Sequence, residues 1–245
     1  MIEVRPLSTL EEFTEAVGLQ KEIWGFEDLE LLPLRLFVVA NKVGGLSWGA
    51  FDGRRMIGFC IAIPGLRAGG QTYWHSHMMG VVREHRNSGV GRALKLRQRQ
   101  DAIARGIQLV EWTFDPLEVK NAYFNIERLG AVVRRYVLNQ YGTTTSHLHG
   151  GLPTDRCVAE WWISSGRVNA LLAGAPMERP PIETRIETPF DIDAIRKRDM
   201  ARAREIQRRM SDQFVAHFNN GLMVVGVERT ERASVYLLAR DEEGR

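Results

Sequence analysis

A glycine-containing segment, residues 86–91 with the sequence RNSGVG, most constrains how this chain can fold. It follows an apolar run over residues 72–82 that is typical of a strand, and it precedes residues 90–105, whose pattern predicts a helix. Because Gly89 and Gly91 carry no side chains, successive backbone N–H groups at the start of the helix can close on an anion. The segment therefore predicts a phosphate-binding turn between a strand and a helix.

A purely structural role for the two glycines is the alternative, because a tight turn from a strand into a helix also favours glycine. Two flanking arginines, Arg86 and Arg92, favour anion binding, since guanidinium groups pair directly with phosphate oxygens. Other nucleotide-binding patterns are missing: there is no GxxxxGK[ST], and no GxGxxG near the N-terminus with an acidic residue about twenty positions later. Nucleotide hydrolysis is therefore not expected.

Short apolar runs and turn residues around this segment predict further strands and helices. The clearest is a hairpin whose strands, residues 48–51 and 56–63, meet at Asp52-Gly53, a dipeptide suited to a tight turn. The other predicted elements are an edge strand at residues 2–7, a helix beginning after Ser8 and Thr9, a helix within 31–43, a loop from Pro64 to Gly70, a strand over 107–114, a helix over 119–128 and a strand near 131–138.

The amino-acid composition changes beyond residue 165, where glycine and proline become frequent. We interpret this stretch as a linker, followed by a helix with one apolar face and by two strands at residues 222–227 and 233–239. The apolar residues of that face are Ile206, Met210, Phe214 and Phe218. The predicted organisation is a domain at residues 1–165 and a C-terminal extension at residues 166–245.

The order of these elements resembles the GCN5-related N-acetyltransferase (GNAT) family, whose cofactor motif is Arg or Gln, two residues, Gly, one residue, and Gly or Ala. Residues 86–91 fit that motif, and residues 121–130 (NAYFNIERLG) are similar to the family's second cofactor helix. The resemblance implies an α/β (α+β) fold with a mixed, mostly antiparallel, V-splayed sheet flanked by helices. The helix and two strands of the extension are added to that domain.

The same resemblance implies that the cofactor is acyl-coenzyme A, either acetyl-CoA or another acyl-CoA. Its pyrophosphate is expected on the glycine turn, and its pantetheine arm along the end of the preceding strand. The cofactor-binding residues implied in this way are Val81, Val82, Arg86, Asn87, Ser88, Gly89, Val90, Gly91, Arg92 and Asn121.

Two histidines, His75 and His77, are the candidate catalytic bases, because acyl transfer to an amine requires the amine to lose a proton. Residues two apart on a strand face the same side of the sheet, and histidine titrates near neutral pH. Structural histidines are the alternative. The resemblance also implies that a backbone N–H between Gly80 and Val82 faces the thioester oxygen, which gains negative charge during the reaction.

Many family members carry a tyrosine as general acid four residues before the glycine of the second motif, where this chain has Ile126. Tyr123 is the nearest replacement, with Tyr136 and Tyr141 as further candidates, and a packed aromatic ring is the alternative for each. Arg156 is a candidate for binding a substrate carboxylate, and a surface ion pair is its alternative.

The resemblance thus predicts an N-acyltransferase that moves an acyl group from acyl-CoA to the primary amine of a small molecule, with amino acids among the candidates. A family subset with a long C-terminal extension carries patterns similar to residues 75–78 (HSHM) and 114–117 (FDPL), and some of that subset are associated with N-succinylation of amino acids. Acetyl and succinyl groups are therefore both considered. The missing tyrosine and the unassigned extension leave a second prediction, a non-catalytic acyl-CoA sensor or protein-interaction module.

Composition disfavours several other classes. The net charge is only +3, and the arginines of the last helix are interpreted as a solvated face, so no nucleic-acid partner is expected. Cys60 and Cys157 lack metal-ligand spacing, and His147 and His149 have no third ligand, so no metal is expected. No apolar run reaches the roughly 18 residues of a membrane span, and no signal-peptide pattern begins the chain, so a cytoplasmic protein is expected. A homodimer is one arrangement that the extension allows.

Overall fold

The computed structural model describes residues 2–142, 151–176, 179–230 and 233–240. The helices and strands are β1 (Ile2–Pro6), α1 (Leu10–Trp24), α2 (Leu34–Lys42), β2 (Leu46–Asp52), β3 (Arg55–Leu66), β4 (Thr72–Val81), α3 (Val90–Ala104), β5 (Leu109–Phe114), α4 (Val119–Tyr123), β6 (Val132–Val137), β7 (Arg156–Trp162), α5 (Gly166–Leu172), β8 (Thr184–Pro189), α6 (Ile192–Arg198), α7 (Met200–Asn219), β9 (Leu222–Arg229) and β10 (Ala233–Arg240). They group into two compact units, one ending at Trp112 and one beginning at Thr113. The mixed α/β fold with mostly antiparallel strands and flanking helices confirms the predicted fold class.

The first unit is built on strands in the order β1-β2-β3-β4-β5, antiparallel except for β4 and β5, which run parallel. The predicted hairpin is confirmed, because β2 and β3 are joined at Asp52 and Gly53, and Gly53 has the positive φ of 60° that such turns require. The predicted start of α1 is confirmed by a capping box. The Thr9 side chain accepts a hydrogen bond from the backbone N–H of Glu12, and the Glu12 carboxylate accepts one from the backbone N–H of Thr9.

The loop predicted from Pro64 to Gly70 begins later than expected, because β3 continues to Leu66. Pro64 lies opposite Trp74, and Gly65 lies opposite Tyr73 in the antiparallel register. A Cβ atom on Gly65 would meet the far end of the Tyr73 ring, so a larger residue here would require that ring to move. The glycine that suggested a loop therefore allows a close cross-strand contact inside the strand.

The second unit is built on strands in the order β7-β6-β9-β10-β8. The predicted tail helix and its two strands are confirmed as α7, β9 and β10, and β9 joins β6 at the pair Val133 and Val224. The apolar face of α7 places Phe214 against Tyr136, with ring centroids 5.1 Å apart, and against Tyr236, with centroids 5.2 Å apart. Part of the predicted extension is therefore packed on strands that precede residue 165.

Three elements of the stretch interpreted as a linker were not predicted: α5, β8 and α6. The two helices have only seven residues each, too short for a clear period. Strand β8 buries only Ile186 and Thr188, and its order comes from antiparallel pairing with β10. The boundary at residue 165 stays a prediction, and His147 and His149 lie outside the described residues. Among the described residues no helix is long and apolar enough to cross a lipid bilayer.

A buried lysine, Lys95 on α3, lies in the core of the first unit with 2% of its surface exposed. Its Nζ donates to Ser76 Oγ at 2.8 Å and to Gln98 Oε1 at 3.1 Å, and it lies 3.7 Å from the centroid of the Trp112 ring. Burial lowers the pKa of the Lys95 ammonium to about 8. The nearby thiol of Cys60 has a raised pKa because it too is buried, so it is not a ready nucleophile.

We expect Lys95→Met to raise the free energy of unfolding at pH 7 by about 1–3 kcal/mol, because methionine fills similar space without a buried charge. The folded-state pKa of about 8 lies below the unfolded value, so between about pH 8 and pH 10 the unfolded state holds more protons and the wild type gains stability as pH rises. Urea denaturation across this pH range measures both effects, with the exposed Lys42→Met as the control. A destabilised Lys95→Met at pH 7, or an unchanged pH dependence, would contradict this account.

Candidate functional site

The glycine turn connects the end of β4 to the start of α3. Asn87 and Gly89 both adopt left-handed backbone conformations, with φ values of 62° and 91°, and Gly89 is the N-cap of α3. No side chain among the described residues caps this helix, so the N–H groups of its first turn have no side-chain acceptor there. Uncapped amides at the positive end of a 15-residue helix are able to bind an anion.

Neither the backbone conformation of Gly91 nor its contacts with the described residues require a glycine. Its φ lies outside the left-handed region, and a Cβ added there would meet only Met79 Cε, at an ordinary 3.8 Å. Within a helix, alanine is favoured over glycine by about 0.5–1 kcal/mol. The missing side chain therefore leaves space for a group outside the chain, which is what close approach of a pyrophosphate requires. The turn fits the predicted cofactor.

The charged side chains around the turn differ in their surroundings. Arg86 donates from Nε to the Val81 carbonyl at 3.1 Å and from an Nη to the Ile23 carbonyl at 3.2 Å, so it braces the end of β4. Arg92 makes no hydrogen bond or ion pair with the residues that the structure describes, and its guanidinium is available to a phosphate. Ser88 Oγ donates to the His85 carbonyl at 2.6 Å and shapes the turn. Val90, the first residue of α3, is buried.

The end of β4 has one open edge, because β5 pairs with β4 only at Trp74–Val110 and His75–Glu111 among the described residues. Val82 N–H donates to the Ile57 carbonyl at 2.9 Å and so points towards β3. Since N–H directions alternate along a strand, Gly80 also faces β3, and the N–H groups of Val81 and Met79 face the open edge. Of the amides predicted to meet the thioester oxygen, the geometry favours Val81 and disfavours Gly80 and Val82.

His75 and His77 lie side by side on β4, with ring centroids 5.7 Å apart, as their spacing in the sequence predicts. Both are half-buried. Burial lowers the pKa of His77, so its imidazole is held neutral at neutral pH. A neutral imidazole is the form that accepts a proton.

Glu111 on β5 is a neighbour of this pair that the sequence analysis missed. It is the register partner of His75 across the parallel pair, is 3% exposed, and forms an ion pair with Arg67. Register partners in a sheet place their side chains on the same face. The available signal was an acidic residue inside the apolar strand sequence LVEWTF, since charged residues are seldom buried without a partner.

The second unit carries the remaining predicted residues. Asn121 Oδ1 on α4 accepts a bond from Asn125 Nδ2 at 3.3 Å, and Tyr123 is 39% exposed. Ile126, in the position where relatives have an acid, is fully buried. Tyr136 is disfavoured as a replacement, because its hydroxyl is bonded to Ser211 and Asp155 and burial raises its pKa.

The segment around α4 is held at both ends by residues of the extension. Before it, Arg196 of α6 lies 3.5 Å from both Asp115 and Glu118. After it, Glu127 accepts Val227 N–H at 2.7 Å and an Nη of Arg179 at 2.7 Å. Buried and half-buried charge pairs of this kind fix a segment's position, so the extension positions the segment around α4.

Arg156, the predicted carboxylate ligand, begins β7. It is half-buried, and its guanidinium carbon lies 5.4 Å from the centroid of the Tyr141 ring. Tyr141 in turn shares a hydrogen bond of 3.0 Å with Thr113. The structure thus brings the glycine turn, His75, His77 and Glu111 into the first unit, and places Asn121, Tyr123 and Arg156 in the second.

Comparison with known proteins agrees with the geometry of the turn. Residues 9–130 match the model of a family described as "Acetyltransferase (GNAT) family". No curated protein matches the chain by sequence.

Several solved structures share the fold at low identity. A putative GNAT-family acetyltransferase from Desulfovibrio desulfuricans is 14% identical and has a TM-score of 0.53, covering 67% of this chain and 100% of its own. The ribosomal-protein-S18-alanine N-acetyltransferase from Escherichia coli is 17% identical, with a TM-score of 0.52 and coverages of 68% and 96%. Arabidopsis thaliana NAA60, solved with a bisubstrate analogue, is 16% identical, with a TM-score of 0.54 and coverages of 66% and 98%.

The fold and the family domain define an acyl-CoA-dependent N-acetyltransferase. The chain belongs to the GNAT family of acetyltransferases, with the family domain at residues 9–130. The predicted family and enzyme class are thereby confirmed.

Proposed function

We propose that this protein transfers an acetyl or succinyl group from acyl-CoA to the primary amine of a small molecule, with amino acids as the leading acceptor class. The observation that carries the cofactor assignment is Gly91, a helical glycine that no contact within the protein requires. Together with the uncapped start of α3, it makes room for a pyrophosphate at the positive end of a helix.

The residues that would hold acyl-CoA fall into two groups. First-turn amides of α3, with Arg92, would bind the pyrophosphate, and the open-edge amides of Val81 and Met79 would bind the pantetheine arm as an added strand. Asn121 stays a predicted contact from the second cofactor helix. The cofactor supplies an acyl group already activated as a thioester, so the protein's task is to orient it and to remove a proton from the amine.

Proton removal is assigned to His75 or His77. An amine is protonated at neutral pH and attacks only after losing that proton. His75 is the register partner of Glu111 across the parallel pair of strands, and His77 lies beside it with ring centroids 5.7 Å apart. We propose His75 as the base, with His77 as the alternative. Tyr123, exposed on α4, stays the candidate acid.

A non-catalytic acyl-CoA sensor is the second candidate, and buried Ile126 in place of the usual tyrosine favours it. Purified protein mixed with acetyl-CoA or succinyl-CoA and a panel of amino acids, simple amines and peptides distinguishes the two. Release of free thiol with an amine, followed by mass spectrometry of the product, supports the enzyme and identifies acyl group and acceptor. Tight acyl-CoA binding without turnover for any amine supports the sensor, and no binding at all overturns both.

We expect His75→Gln to lower kcat about 100-fold while leaving the Kd of acyl-CoA unchanged, which is the usual contribution of a general base. His77→Gln is the matched control, with an expected loss below about tenfold. Steady-state kinetics between pH 5 and 9 with calorimetric binding of acyl-CoA measures both. A larger loss of kcat in His77→Gln than in His75→Gln would assign the base to His77. Because the pKa of His77 is lowered, kcat/KM would then fall to half of its maximum at a pH below about 6.5 on the acidic side.

A further inference from the structure

A cavity of about 610 Å³ lies within the second unit, between α7 and the chain segments that follow β6 and precede β7. Its volume is in the range of sites for small organic ligands. Leu138, Leu152 and Pro153 supply apolar side chains to the wall, and most of the other side chains that line the cavity are polar or charged. None of these residues was predicted as part of a site.

One wall of the cavity holds a buried carboxylate. Asp155 is 5% exposed, and it accepts bonds from Ser211 Oγ at 2.7 Å, Asn139 N–H at 2.8 Å and the Tyr136 hydroxyl at 3.4 Å. It forms no ion pair with any residue that the structure describes. Buried carboxylates are ordinarily balanced by a cation, so a cationic group on a ligand in this cavity would complete the site.

The opposite charge comes from one face of α7. Arg204 and Arg208 both line the cavity one helical turn apart, an arrangement of like charges that is unfavourable unless an anion lies between them. Arg208 lies 3.6 Å from Asp212, but both side chains are more than two-thirds exposed, so that pair is weak. Arg204 has no hydrogen-bond or ion-pair partner in the described part of the chain. The two guanidinium groups therefore suit a carboxylate.

We propose that this cavity binds a free amino acid, with the ammonium group near Asp155, the carboxylate near Arg204 and Arg208, and the side chain near Leu138 and Leu152. An amino acid is the simplest molecule that carries both charges and an apolar part. Gln207 and Ser211 hold the wall in place: Gln207 Nε2 donates to the Pro153 carbonyl at 2.8 Å, and Ser211 bonds Asp155. An acceptor role for this ligand would rest on the proposed function, whereas the binding site itself does not.

Calorimetry with each of the twenty standard L-amino acids tests the site. For any that binds, the corresponding amine without the carboxylate and the corresponding acid without the amine are titrated next. We expect one or a few amino acids to bind, and both partial molecules to bind at least about tenfold more weakly, because each loses a charge-assisted contact. Binding of no amino acid, or equal binding of a partial molecule, would overturn the proposal.

Variants locate the binding. Arg204→Gln changes an exposed side chain and is expected to weaken amino-acid binding about tenfold, whereas Arg209→Gln, exposed on the same helix outside the cavity wall, is expected to leave it unchanged. Amino-acid binding by Asp155→Asn is a second test, which is interpreted only if the thermal unfolding of this variant matches that of the wild type. Equal affinities for Arg204→Gln and Arg209→Gln would place the ligand elsewhere and sink the proposal.

The same samples separate this inference from the proposed function. Acyl-CoA binding is measured on each variant and should not change in Arg204→Gln. If the wild-type protein does not bind acyl-CoA, the proposed function is wrong, whereas binding of an amino acid would still support the amino-acid site. An amino acid that binds here and raises thiol release from acyl-CoA, with a KM that increases about tenfold in Arg204→Gln, supports both.

Discussion

Gly91→Leu is expected to weaken acyl-CoA binding about a thousandfold, because a side chain at this position would keep the pyrophosphate from two amide hydrogen bonds of about 2 kcal/mol each. The Cβ atom of the new side chain would meet only Met79 Cε, at 3.8 Å. Calorimetric titration with acetyl-CoA measures the affinity, and thermal unfolding monitors the fold.

Gly91→Ala is the matched control. The family motif accepts alanine here, and alanine stabilises a helix relative to glycine by about 0.5–1 kcal/mol. We expect acetyl-CoA affinity within about threefold of the wild type and a Tm that is unchanged or higher. A Gly91→Leu protein that keeps wild-type affinity would show that the turn is structural, which is the alternative that the sequence left open.

Phe214→Ala is expected to lower the free energy of unfolding by about 3–5 kcal/mol, the usual cost of deleting a fully buried aromatic ring. Phe214 is 0% exposed and lies between Tyr136 of β6 and Tyr236 of β10. The substitution therefore leaves a cavity where the helix of the extension meets the sheet. Urea denaturation followed by circular dichroism measures the change.

Phe218→Ala, one turn further along α7, is the control, because Phe218 is only half-buried. Its expected cost is about 1–2 kcal/mol, in proportion to the smaller apolar area that it removes from water. Equal effects of the two substitutions would mean that α7 is not packed on the sheet as the structure has it. A larger effect at Phe214 would establish that the extension contributes to the stability of residues that precede it.

The extension also contacts the residues on either side of α4. Arg196 and Arg179, which follow residue 165, form ion pairs with Asp115, Glu118 and Glu127. The FDPL pattern of the sequence includes Asp115, so one role of that pattern is to pair with Arg196. The extension is thereby tied to the segment that contains α4.

The sequence by itself determined the features that depend on neighbours in the chain. The capping residues of α1, the Asp52-Gly53 hairpin and the glycine turn are each specified within a few residues, because caps, turns and helix starts are short-range hydrogen-bonding arrangements. The same locality made the GNAT motif at residues 86–91 recognisable. The spacing of His75 and His77 likewise placed them on one face of a strand.

Only the tertiary structure decided which distant groups meet. Glu111 reaches its place beside His75 through the parallel pairing of β4 with β5, and Asp155 meets Ser211 across 56 positions of the chain. Strand β8 exists because β10 supplies its hydrogen-bond partners. Such contacts depend on sheet register and on side-chain burial, which short-range sequence patterns do not encode. This is why the glycine turn was predictable and the cavity in the second unit was not.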